Sequence, residues 1–70
     1  MDERAKDERF DRLARLCRER GMDVTPQRRA ILRAVLDADD HPTAERVKAT
    51  LVRRRVRVSR ATVFRTLESL

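Results

Sequence analysis

Residues Ser59 to Leu70 read S-R-A-T-V-F-R-T-L-E-S-L, and this segment sets the orientation of everything before it. Ser59 is a suitable N-cap, because its hydroxyl can accept from an orphan N–H of a first helical turn. Val58 and Val63 occupy the N′ and N4 positions of a hydrophobic staple. Val63, Leu67 and Leu70 recur at i, i+4 and i+7, which predicts one buried stripe. At about 100° per residue, Ala61, Arg65 and Ser69 then point away from that stripe, with Thr62 and Phe64 on its flanks. Such a helix, small and arginine-bearing on its outer face, can lie close against another macromolecule.

Just upstream, Arg53-Arg54-Arg55-Val56-Arg57-Val58 alternates valine with arginine, the pattern of a very short half-buried strand. Before it, Thr43 caps a third helix over Ala44 to about Arg53, with Ala44, Val47, Leu51 and Val52 on its inner face. Pro42 biases His41 toward an extended conformation and breaks the chain there. Thr25 caps a second helix, and Pro26 takes its first position, where the missing N–H costs nothing. Ala30, Ile31, Ala34, Val35 and Ala38 form its broad apolar face, with Leu32 and Leu36 at the edge. Gln27, Arg28 and Arg29 stand exposed on its first turn. Asp37, Asp39 and Asp40 oppose the helix dipole and predict an end near Asp39.

Asp2 to Arg20 reads as a first helix, laced by the i,i+4 pairs Asp2–Lys6, Glu8–Arg12 and Asp11–Arg15. Its apolar stripe, Phe10, Leu13, Ala14, Leu16 and Cys17, lies in the second half, so residues 1–9 are expected to fray. Gly21 falls where a left-handed C′ residue belongs, and Met22 can cover Cys17 in a Schellman contact.

Seventy residues make one small domain or part of one, with marginal stability. Charge is unevenly spread. Residues 1–45 hold ten Lys/Arg and eleven Asp/Glu, a net of −1, whereas residues 46–70 hold eight Lys/Arg against Glu68 alone, a net of +7. A half so one-sidedly basic points to a polyanion, nucleic acid first, with a solvated arginine-rich surface as the plainer alternative. The single Cys17 excludes an internal disulfide and fits a reducing compartment. With no signal-peptide run and no apolar segment of membrane length, the expected location is cytoplasmic, with no membrane partner. One histidine, no Cys/His pair, no glycine-rich phosphate loop and no carboxylate pair argue against an enzyme.

Four helices with a tight connection between the last two make a helix-turn-helix. The expectation is therefore an all-α, mainly helical domain over 1–70: a four-helix helix-turn-helix or winged-helix core with one very short strand. Its wing hairpin would follow the fourth helix, so the chain reads as truncated before the wing.

Three motifs carry a resemblance: G-M-D-V-T-P-Q-R-R-A-I-L at 21–32, D-D-H-P-T-A-E-R-V at 39–47 and V-S-R-A-T-V-F-R-T-L at 58–67. At this order and spacing they resemble the N-terminal DNA-binding domain of the ferric uptake regulator (Fur) family of metal- and peroxide-sensing repressors. The resemblance implies a winged helix whose fourth helix enters the major groove of double-stranded DNA. It also implies a homodimer built by a C-terminal domain, outside these residues, that carries most ligands for a divalent metal (Fe, Zn or Mn). The seventy residues alone are expected to be monomeric and to bind no metal.

Position by position, the resemblance places a DNA-facing aromatic-arginine pair at Phe64 and Arg65. Phe64 can contact thymine methyls or fill the core. Arg65 can fork onto guanine O6/N7, worth about 1–3 kcal/mol of discrimination, or grip a phosphate. Asp23 stands where the family often has a basic residue that reaches the minor groove. Arg28, Arg29, Arg53, Arg54, Arg55 and Arg57 are expected at phosphates, and Arg60, Thr62, Phe64 and Arg65 at bases. His41 matches a histidine that ligates the regulatory metal in several members, and one imidazole is not a site without further ligands. A different class of function remains open: an interaction module that pairs with a full-length relative without reading DNA.

Overall fold

The computed structural model describes residues 3–38 and 42–70. Four helices follow in order: α1 (Glu3–Glu19), α2 (Pro26–Asp37), α3 (Ala44–Arg53) and α4 (Arg60–Glu68). The chain is mainly α-helical, as its periodicity implies. The expected helix start and ion pair at Asp2 and the position of His41 lie outside the described residues, whereas α2 ends at Asp37, with Ala38 already extended, close to the expected end near Asp39.

Each helix after the first begins with a hydroxyl cap. Thr25 accepts from Arg28 N, Thr43 from Arg46 N and Ser59 from Thr62 N, each satisfying one orphan donor of the first turn. α1 ends in a Schellman motif: Met22 N–H donates to Cys17 O at 2.9 Å and Gly21 N–H to Arg18 O at 3.0 Å. Gly21 has φ 79, the left-handed conformation this closure needs.

α2 buries two faces at once and is the centre of the fold. Ile31 and Ala34 join Val47, Leu51, Val58 and Val63 in one cluster, shared with α3 and α4. Leu32, an edge residue by periodicity, is fully buried in a second cluster with Phe10, Ala14 and Cys17 of α1. Cys17 is a free buried thiol, and Met22 packs against this cluster. The buried Phe10 ring is covered by two guanidiniums, Arg33 at 4.2 Å and Arg29 at 5.1 Å from its centroid. Lys6 and Asp7, in the highly charged first half of α1, pair with Asp37 and Arg33 of α2 at 3.2 Å each.

Several expectations need correction. Val52 is 60% exposed, because it follows the buried Leu51 by about 100° and turns outward. The inner stripe of α3 is Ala44, Val47 and Leu51. No strand forms at Val56 and Val58 among the described residues. No neighbouring strand pairs with this segment there, and side chains take its carbonyls instead: Gln27 Nε2 donates to Arg57 O at 3.4 Å and Lys48 Nζ to Val58 O. Leu70 lies beyond the end of α4 and is 36% exposed. The inner face of α4 is instead Val63 and Thr66, both at 0% exposure, with Leu67 partly buried. Asp37 does not merely oppose a dipole, since Lys6 and Arg54 both bond its carboxylate. No helix among the described residues is long and apolar enough to cross a membrane.

Candidate nucleic-acid interface

α4 is held from both ends. At its start, Ser59 Oγ accepts from Thr62 N at 3.1 Å, and Val58 and Val63 share the core as a staple. At its end, Ser69 Oγ lies 2.9 Å from Met22 Sδ and 3.0 Å from Arg65 O, two acceptors for its single proton, so the last turn sits against the α1–α2 loop. Ser69 is thereby half-buried, not outward-facing. With Val63 and Thr66 anchored inside, the opposite face of α4 presents Arg60, Ala61, Phe64, Arg65 and Glu68, all exposed. Ala61 lies near the middle of that face, and its small side chain leaves room for a close approach.

Phe64 is 49% exposed, so its ring belongs to this surface and does not fill the core. Arg65 makes no side-chain hydrogen bond or ion pair among the described residues, which leaves its guanidinium ready for a partner. Arg60 lies 3.7 Å from Glu45, with both side chains largely exposed, a contact that solvent screens to little value. Thr62 differs from these. It is half-buried, and its hydroxyl pairs with Ser59 Oγ at 2.8 Å, so it serves the cap before any base.

The remaining arginines fall into separate groups. Arg57 is exposed in the turn that leads into α4, and its carbonyl is clipped to Gln27 from the start of α2. Arg28 turns back on its own loop, half-buried, with Nη1 donating to Asp23 O at 2.6 Å and Nε without a partner. Arg29 is exposed and leans on Phe10. Arg54 bonds Asp37 at 2.6 Å and Arg53 bonds Thr50 at 3.3 Å, both on the α2 side of α3. Arg57, Arg60, Phe64 and Arg65 thus lie on α4 or the turn into it, whereas Arg28, Arg29 and Arg54 each engage a partner elsewhere: Asp23 O, the Phe10 ring and Asp37.

Two residues of this surface escape a reading by periodicity. Lys48, half-buried, carries its ammonium to the Val58 carbonyl next to the cap of α4. There it adds positive charge to a helix end whose N–H groups already favour anions. Its sequence signal is weak: a lysine four residues after Ala44, on the edge of an apolar stripe. Glu68 puts a carboxylate on the outer face of α4 at the far end, so the positive potential is concentrated on the first two turns.

The family described as "Ferric uptake regulator family" matches residues 19–70. This chain belongs to that family. The "Ferric uptake regulation protein" of Rhizobium leguminosarum bv. viciae is 43% identical over 56 residues, covering 80% of this chain and 39% of that protein. "Peroxide-responsive repressor PerR" of Staphylococcus epidermidis is 36% identical over 50 residues, covering 71% of this chain and 33% of that protein. The chain therefore spans about two fifths or less of the length of these curated relatives. No solved structure matches it.

Asp23 is exposed, and its backbone carbonyl is the acceptor that holds Arg28. Among the described residues no three His, Cys, Asp or Glu side chains group to hold a metal. His41 lies outside those residues.

Proposed function

We propose that this chain is the DNA-binding part of a metal-responsive transcriptional repressor of the ferric uptake regulator family, with α4 laid in the major groove of double-stranded DNA. The observation that carries this reading is the outer face of α4, where Arg60, Ala61, Phe64 and Arg65 are exposed while Val63 and Thr66 anchor the helix. Arg65 reads a base edge, and Phe64 lies flat against a thymine methyl. Arg57 and Arg60, with Lys48 behind them, meet phosphates at the start of the helix. Arg29 adds a phosphate contact from α2, whereas Arg28 and Arg54 reach phosphate only by releasing Asp23 O and Asp37. In the longer protein a further domain supplies the dimer contact and most ligands for a divalent metal, with His41 contributing one.

Binding to a duplex enriched from a random pool, and to a scrambled duplex, tests this by fluorescence anisotropy across a salt series. Affinity should fall with log salt at a slope of about −0.9 per phosphate contact. Arg65→Ala should cost about 1–3 kcal/mol on the enriched duplex and much less on the scrambled one. Arg57→Ala should weaken both alike. Equal losses on both duplexes for Arg65→Ala reject α4 as the reading element.

A further inference from the structure

On the other side of α3 from α4 lies a cleft of about 360 Å³, lined by Asp37, Ala38, Arg46, Ala49, Thr50 and Arg53. Lys48 marks the side of α3 that reaches α4, and Arg46, Thr50 and Arg53 lie more than about 100° round the helix from it. The cleft is therefore no part of the surface described above.

Among the described residues, its polar side chains are mostly donors. Arg46 is exposed and makes no side-chain hydrogen bond or ion pair among the described residues. Arg53 Nη2 donates to Thr50 Oγ1 at 3.3 Å, which leaves the Thr50 hydroxyl proton free to donate into the cleft. Asp37, the one carboxylate in the lining, is already held by Arg54 at 2.6 Å and Lys6 at 3.2 Å. Among the described residues, two guanidiniums and a hydroxyl donor thus line a cleft whose one acid is already paired with other cations. Guanidinium forks match the oxygens of a tetrahedral anion.

We propose that this cleft binds a phosphate group, with Arg46 and Arg53 as its cations and Thr50 as a hydrogen-bond donor. The group is carried either by a small anion or by a nucleic-acid backbone that passes the flank of the domain. The small alanines Ala38 and Ala49 leave the anion room to approach both helices. The site depends on α3 and the end of α2, and stands whether or not α4 reads DNA.

The test follows backbone amide shifts of the 70-residue chain during titration with inorganic phosphate, at ionic strength held constant with chloride. A small-anion site gives saturable shifts at residues 46–53 with those of Arg65 unmoved. Saturation disappears in Arg46→Gln/Arg53→Gln, and affinity falls about tenfold in Thr50→Val. A backbone site shows instead as a scrambled-duplex salt slope about 1.8 smaller in Arg46→Gln/Arg53→Gln, with Arg65→Ala behaving as before. If phosphate shifts are linear or identical in the double variant, and the salt slope is unchanged, the site does not exist. Saturation that appears only after Asp39→Asn/Asp40→Asn would mean that the chain's own carboxylates fill the cleft, and overturns the proposal as well.

Discussion

Replacing Arg55 by glycine should stabilise this chain. The end of α3 repeats the closure of α1: Val56 N–H donates to Leu51 O at 2.9 Å and Arg55 N–H to Val52 O at 3.1 Å. Val56 then packs on the core as Met22 does after α1. The residue in the left-handed position is glycine at the first site and arginine at the second, with φ 59. A β-carbon in that conformation costs about 1–2 kcal/mol. Glycine returns about 0.4–1 kcal/mol of this through its freer unfolded chain, so Arg55→Gly should gain about 0.5–1 kcal/mol. In a domain this small, that raises the melting temperature by about 2–8 °C. Arg55→Ala is the control, since it removes the same charge from a basic turn and keeps the β-carbon. Gly21→Ala is the mirror experiment: nothing lies within 4 Å of the added carbon, so only the φ of 79 opposes it. It should lower the melting temperature by a similar amount. Thermal unfolding followed by circular dichroism reads all three. If Arg55→Gly and Arg55→Ala melt together, charge and not backbone conformation governs the site, and the reasoning fails.

Other expectations are more local. Ser59→Ala removes the acceptor for Thr62 N–H and should cost about 1 kcal/mol in chemical unfolding, with a parallel loss of duplex affinity as the first turn of α4 loosens. Thr66→Val should change stability by less than about 0.5 kcal/mol, because the hydroxyl donates at 2.8 Å to Thr62 O, a carbonyl that also serves the helix ladder, and a methyl refills the volume. A loss above about 2 kcal/mol would show that this hydroxyl has a buried role beyond that bond. Asp37 titrates below its ordinary 3.8, chiefly because Arg54 hydrogen-bonds its carboxylate, with Lys6 adding to the effect and partial burial opposing it. Its contribution is therefore complete above that ordinary value and fades as pH falls through the lowered one. Asp37→Asn should destabilise at neutral pH by no more than about 1 kcal/mol per pair, since solvent screens both contacts. The difference from the parent should vanish well below pH 3.8, and a gap that persists in strong acid would contradict the pairing.

Much of this fold is legible in the chain because its signals act within a turn or two. Thr25, Thr43 and Ser59 cap helices that begin one residue later, Gly21 closes α1, and Val58 with Val63 staples α4. The three family motifs are equally local, so membership could be recognised without coordinates. The closure at Arg55 could not, since the same backbone is built there without the glycine that advertises it. Where a helix stops also decides which periodic residues count: α4 ends at Glu68, so Leu70 leaves the stripe and Thr66 enters it. Arginine placement was beyond sequence altogether. Arg28, Arg54 and Arg65 are alike in composition, yet one folds onto Asp23, one crosses 17 residues of chain to Asp37, and one stands free on α4. Lys6 reaches the same Asp37 across 31 residues. A long flexible cation takes whichever acceptor packing brings within reach, and that distance exists only once α2 has been wrapped by its neighbours.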